Sequence, residues 1–139
     1  MPGMAPDWSH QASFEASPVS ASRARAFVSH HLIDHRLLYL VDPVRLVASE
    51  LATNALVHAQ TVFNVTLAAW GKTVLLTVRD GSLALPSPRV ARAMDLSGRG
   101  LEIVGIVAHD WGVEEDRGSK SIWASFTIRT PREVVSPLA

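Results

Sequence analysis

The sequence predicts an α+β two-layer sandwich, and three observations carry that expectation. Apolar residues Val44, Val47, Ala48, Leu51 and Ala55 recur at helical spacing. Thr61 to Trp70 and Thr73 to Arg79 are instead rich in Val, Thr, Leu and aromatics around Gly71-Lys72, which is the pattern of a β-hairpin with a tight turn. The elements follow one another as helix, helix, strand, strand, loop, helix, strand, strand. Strict alternation is missing, so a doubly wound parallel sheet is disfavoured.

Met1 to Ala16 is mixed in character and reads as a flexible arm with one short edge strand around Gln11 to Phe14. Ser17-Pro18 gives an N-cap followed by proline at the first helical position, where its missing N–H costs nothing, and a helix runs to about Leu32. Asp42-Pro43 repeats that signal for a second helix reaching about Ala59. The hairpin comes next. Asp80 to Ser97, with Gly81, Pro86, Pro88 and several serines, is too broken for a long element and predicts a loop with one helical turn near Val90 to Met94. Leu101, Val104, Ile106 and Val107 restore helical periodicity over Gly98 to Asp110. Strands at Trp111 to Glu115 and Lys120 to Arg129, joined by a turn at Asp116 to Ser119, complete a single domain over 17–130, and 131–139 reads as a tail.

Composition narrows the function. A chain of 139 residues allows one compact domain. Its 13 basic and 13 acidic residues cancel, which argues against a protein that holds nucleic acid directly by neutralising phosphates. Without cysteine, disulfides, thiolate metal sites and thiol catalysis are excluded. Met1 to His10 has no apolar signal-peptide core, and the apolar stretch Val62 to Val78 is interrupted by Asn64, Gly71 and Lys72, so a cytoplasmic protein without a membrane span is expected.

Few residues can carry chemistry. Glu50 and Asn54 lie one helical turn apart on one stripe, which His58 extends. Such a pair can hold Mg²⁺ through the amide oxygen while the carboxylate accepts a proton beside it, or it can be an ordinary polar face. Asp80 closes an apolar strand before Gly81-Ser82, where a carboxylate can accept from an exocyclic amine or simply form an Asp-Gly turn. Gly98-Arg99-Gly100 stands where a loop becomes a helix, a place where backbone N–H groups and a guanidinium can crowd a phosphate. The spacing fits neither the dinucleotide fingerprint, since Ile103 replaces the third glycine, nor a P-loop. His30, His31 and His35 cluster on or after the first helix. Imidazole suits Zn or Ni, yet no spacing supplies a convincing third ligand, and an exposed or interface cluster fits better. No Gly-x-Ser-x-Gly elbow is present. Trp8, Trp70, Trp111 and Trp123 read as core or interface fillers, and Arg23 with Arg25 as a solvated face rather than a partner-facing patch.

The combination and order of these pieces resemble the GHKL ATPase superfamily. Glu50-Leu51-Ala52-Thr53-Asn54-Ala55 with His58-Ala59 is similar to its N-box, Asp80-Gly81-Ser82 to its G1 box and Gly98-Arg99-Gly100-Leu101 to its G2 box. Within the superfamily, Ser49 to Ala59, the Gly-Arg-Gly-Leu run, Trp111-Gly112 and Ser119-Lys120-Ser121-Ile122-Trp123 resemble the small bacterial anti-sigma factor serine kinases and their stand-alone regulatory relatives. The resemblance spans Ala21 to Arg129. The family's G1 pattern is Asp-x-Gly-x-Gly; here Ser82 and Ala84 stand at its glycine positions and Gly81 directly follows the acid.

The resemblance implies a Bergerat ATP-binding fold, in which helices cover one face of a mixed, mainly antiparallel sheet. It implies ATP and Mg²⁺ as cofactors, with Asn54 holding the metal and Glu50 as the general base. Asp80, beside Gly81, would recognise the adenine amino group. Gly98, Arg99, Gly100 and Leu101 would line the phosphates, and Ser121 would replace a threonine that supports the adenine-site water. The implied partners are a sigma factor, sequestered by contact, and a small anti-anti-sigma domain phosphorylated on serine. A homodimer is implied too. The alternative is a non-catalytic nucleotide-binding module that regulates its partner by contact alone.

Overall fold

The computed structural model describes residues 4–81 and 98–129. Its elements are β1 (Trp8–Phe14), α1 (Val19–Asp34), a 3₁₀ turn (Leu38–Leu40), α2 (Val41–Asn54), a π-helical turn (Ala55–Ala59), β2 (Phe63–Trp70), β3 (Thr73–Asp80), α3 (Gly98–Val107), β4 (Asp110–Asp116) and β5 (Ser119–Thr127). The expected loop from residue 82 to 97, its helical turn and the tail over 131–139 lie outside the described residues.

The strands form one sheet in the order β1-β2-β3-β5-β4. Every pairing is antiparallel, so the mixed sheet implied by the resemblance is not what forms among the described residues. The reason is topological. The chain leaves β3 through α3 and returns as β4 running parallel to β3, but β5 then folds back between the two and separates the parallel neighbours.

Side-chain alternation decides which face is covered. Phe63, Val65, Leu67 and Ala69 of β2, Val74, Leu76 and Val78 of β3, and Ile122, Ala124 and Phe126 of β5 are buried in one cluster. The same cluster takes Ala24, Val28 and Leu32 from α1, Val44, Val47, Ala48 and Leu51 from α2, and Val104 from α3. Helices therefore pack on that face, while Asn64, Thr66, Thr77, Ser121 and Trp123 on the other stay half-buried. Burying a Leu or Val side chain in this way contributes about 1.5–3 kcal/mol. The result is the α+β layering that the element order predicts.

Several boundaries differ, each for a local reason. The edge strand expected at Gln11 to Phe14 begins at Trp8, so residues 8–14 of the expected arm belong to the sheet, paired along their length with β2. Helix α1 passes Leu32 and ends at Asp34 in a Schellman motif: the Arg36 N–H donates to the Ile33 carbonyl at 2.9 Å and the Leu37 N–H to the Leu32 carbonyl at 2.8 Å. The left-handed residue is Arg36 (φ +60°) rather than the usual glycine, which is why the sequence carries no stop signal there. Buried Leu32 and Leu37 supply the apolar contact that accompanies this cap. Both hairpin turns fall where expected, with Gly71 at φ +54° and Gly118 at φ +70°.

Gly112 and Trp123 face each other across β4 and β5. A Cβ at position 112 would stand 2.8 Å from the indole atoms Cε2, Cζ2 and Nε1, so the ring lies directly on the glycine backbone. A rigid bicycle cannot yield as a flexible chain end would. Gly112→Ala is therefore expected to destabilise the domain by about 1–3 kcal/mol, read from the urea midpoint. An unchanged midpoint would show that the indole is free to swing aside.

Candidate functional site

Glu50 and Asn54 sit on the last turn of α2, so the spacing that places them on one stripe is realised as helix. Glu50 is half-buried. Asn54 is the terminal residue of α2 and only 6% exposed, yet its amide Nδ2 has no hydrogen-bond partner among the described residues. A buried donor left unmade costs about 1–3 kcal/mol. The group that would satisfy it is an acceptor, such as a phosphate or carbonyl oxygen, and a half-turn of the amide would present its oxygen instead.

Beyond Asn54 the helix does not continue with the same winding. Residues 55–59 widen into a π turn, closed by the Gln60 N–H donating to the Ala55 carbonyl at 3.2 Å with Gln60 itself left-handed (φ +54°). Single π turns of this kind recur at functional sites. His58 stands half-buried within this π turn. It faces the end of β3 and the start of β5: burial lowers its pKa, the Lys120 ammonium adds to that, and the Asp80 carboxylate opposes it.

Asp80 and Lys120 are direct cross-strand partners on the helix-covered face. They are 4% and 5% exposed, and Lys120 Nζ lies 3.7 Å from Asp80 Oδ2. That separation makes an ion pair but is too long for a hydrogen bond. The expected adenine acid is therefore matched by a cation that the motif reading did not assign to the site. The signal was present in β5, where Lys120, Ile122, Ala124 and Phe126 share one parity, so a strand with its apolar residues inward carries a lysine inward as well.

Ser121 is on the wrong face for its implied role. It pairs with Arg79, one position out of phase with Asp80, and the alternation turns it toward the uncovered side, where Arg79 donates to Ser119 Oγ at 2.9 Å. Gly81 is not crowded: a Cβ there would meet Thr61 Oγ1 at an ordinary 3.6 Å. Its N–H donates to that same oxygen at 3.1 Å, tying the end of β3 to the approach to β2. Gly98, Arg99 and Gly100 form the first turn of α3, which packs against α2. Leu101 is an apolar residue packed against the core, so its side chain serves packing. Arg25 is not a solvated face residue: it donates to Ser49 Oγ at 3.0 Å and lines a hollow of about 280 Å³ with Asp42, Arg45 and Leu46. The described parts thus bring His58, Asp80 and Lys120 together, with Asn54 at the end of α2 just before the π turn that carries His58 and Glu50 one turn back. No helix among the described residues is long and apolar enough to cross a membrane.

Two outcomes follow from this geometry. Asn54→Leu removes the orphaned donor at similar volume and is expected to raise the stability of the ligand-free protein by about 1 kcal/mol in urea unfolding; a loss would mean that the amide is satisfied in solution. Because the folded pKa of His58 lies below its unfolded value of 6.5, the unfolded chain binds the extra proton as pH falls. The stability His58 contributes is present above the unfolded value and lost as pH drops through it toward the folded one. The fall in Tm from pH 7.5 to 5.5 should be shallower in His58→Gln than in the unaltered chain, and equal slopes would remove His58 from the site.

The sequence matches neither a protein-family model nor a curated protein.

Proposed function

We propose that this chain binds ATP with Mg²⁺ and regulates a sigma factor by protein contact, as the small anti-sigma factor serine kinases do that its motifs resemble. The reading takes the α+β layering as a Bergerat fold. One observation supports it above the rest: Asn54, the residue matching the N-box metal ligand, is buried with an amide Nδ2 that nothing among the described residues accepts from, one turn from Glu50. After a half-turn of the amide, the Asn54 oxygen with phosphate oxygens and water makes the hard oxygen set that Mg²⁺ prefers, so Asn54 fits the ion.

Asn54 then holds the metal, whose contribution is to neutralise charge on the phosphates. The first turn of α3, formed by Gly98, Arg99 and Gly100, has backbone N–H groups without partners inside the helix, and these would meet the phosphates. Glu50 would accept the proton of the serine hydroxyl of a small anti-anti-sigma partner as that oxygen bonds the γ-phosphorus and the bond from the γ-phosphorus to ADP breaks, after which ADP and the phosphorylated partner leave. Asp80 takes the adenine amino group, for which it must exchange part of its interaction with Lys120. That competition favours a second reading, in which nucleotide is bound weakly or only to shape a docking surface and no phosphate is transferred.

Calorimetric titration with Mg-ATP, followed by transfer of labelled γ-phosphate to proteins encoded beside this one, separates the readings. The expected result is binding by the unaltered chain, its loss in Asn54→Ala, and retained binding without transfer in Glu50→Gln. Transfer at full rate by Glu50→Gln would remove the base assignment. Binding without any transferred product selects the second reading, and no binding at all overturns both.

A further inference from the structure

Away from the Asn54 region, the junction between β1 and the end of α1 gathers His10, His30, His31, His35 and Asp34. We propose that His30, His31 and Asp34 bind one divalent ion of the zinc class. Their ligand atoms all lie within 4.8 Å of one another. His30 Nε2 and Asp34 Oδ2, four residues apart on the helix, are separated by 3.3 Å. Two donors at 2.0–2.1 Å from a tetrahedral ion stand about 3.3 Å apart, so this pair already has the spacing of a chelate.

The third donor is held in place by a chain of rings. His31 stacks on His10 with centroids 3.8 Å apart and planes 9° apart, and meets Phe27 edge-on at 4.7 Å. His10 and His35 share a hydrogen bond between their Nε2 atoms at 2.8 Å, and His35 stacks on Trp8 at 3.9 Å. Those two imidazoles satisfy each other, which makes them orienting groups rather than ligands. Parallel stacking also bars His10 and His31 from sharing an ion, since one metal cannot lie in both ring planes. An exposed His–Asp pair alone is worth little, whereas a fixed third imidazole turns it into a site with two nitrogens, one oxygen and open positions for water.

Nitrogen donors select Zn²⁺, Ni²⁺ or Co²⁺ over Mg²⁺, so this site stands apart from any nucleotide-bound metal. With His31 locked to β1 through His10, a bound ion also fastens the edge strand to α1. The test is titration of the tag-free full chain with ZnCl₂ by calorimetry, with thermal melting in zinc and in excess EDTA. One ion per chain, a rise in Tm that EDTA reverses and no competition from MgCl₂ are expected. His30 and Asp34 are exposed, with side-chain values of 68% and 59%, so His30→Ala and Asp34→Asn fold and should each abolish binding. His10→Phe keeps a ring against His31 but loses the bond to His35, and should weaken binding about tenfold. Absence of zinc binding would overturn the proposal. So would binding that survives His30→Ala and Asp34→Asn and disappears in His35→Gln.

Discussion

Opposite charges meet inside the sheet where Asp80 ends β3 and Lys120 opens β5, directly across from one another and on the face that surrounding residues give to the core. Coulomb attraction near 4 Å is worth about 4 kcal/mol at an effective dielectric of 20. Withdrawing two ions from water costs several kcal/mol each, so such a pair adds little net stability, although losing one partner is expensive. What the pair does is fix position. It holds a carboxylate beside His58 on the face that the helices cover.

The helix above has a matching irregularity. Its regular winding stops at Asn54, a π turn carries the chain past His58, and a left-handed Gln60 releases it into β2. Each departure is unfavourable by itself: a buried amide without a partner, a widened turn, a positive φ on a side chain larger than glycine. They are concentrated in about two turns of one helix while the rest of the core is packed from Val, Leu and Ala in ordinary alternation. Arg36 is also left-handed at the end of α1, but among the described residues the three departures coincide only at the end of α2, as they would at a site kept for a ligand.

Much of the fold is legible in the sequence, because the periods are strong. The α2 stripe, the two hairpins and their glycine turns follow from spacing and turn chemistry alone. Less visible are features set by partners distant in the chain. Helix α1 ends on Arg36 because Leu32 and Leu37 pack together, and no glycine announces it. Strand β1 starts at Trp8 because β2 offers a free edge along its whole length. At the site, Glu50, Asn54 and Asp80 could be picked out by residue type and spacing. The parity of β5 already turns Lys120 inward, but its pairing with Asp80 shows only once β3 and β5 are in register, and the same parity puts Ser121 on the other face.

The central claim is that the end of α2, the end of β3 and the start of α3 make one nucleotide site. Backbone amide shifts measured by NMR during a Mg-ATP titration test it most directly. The largest changes should fall on residues 54–58, 80–81 and 98–101 together, saturating along one curve. Changes centred on Arg25, Arg45 and Ser49, or none anywhere at millimolar nucleotide, would contradict it.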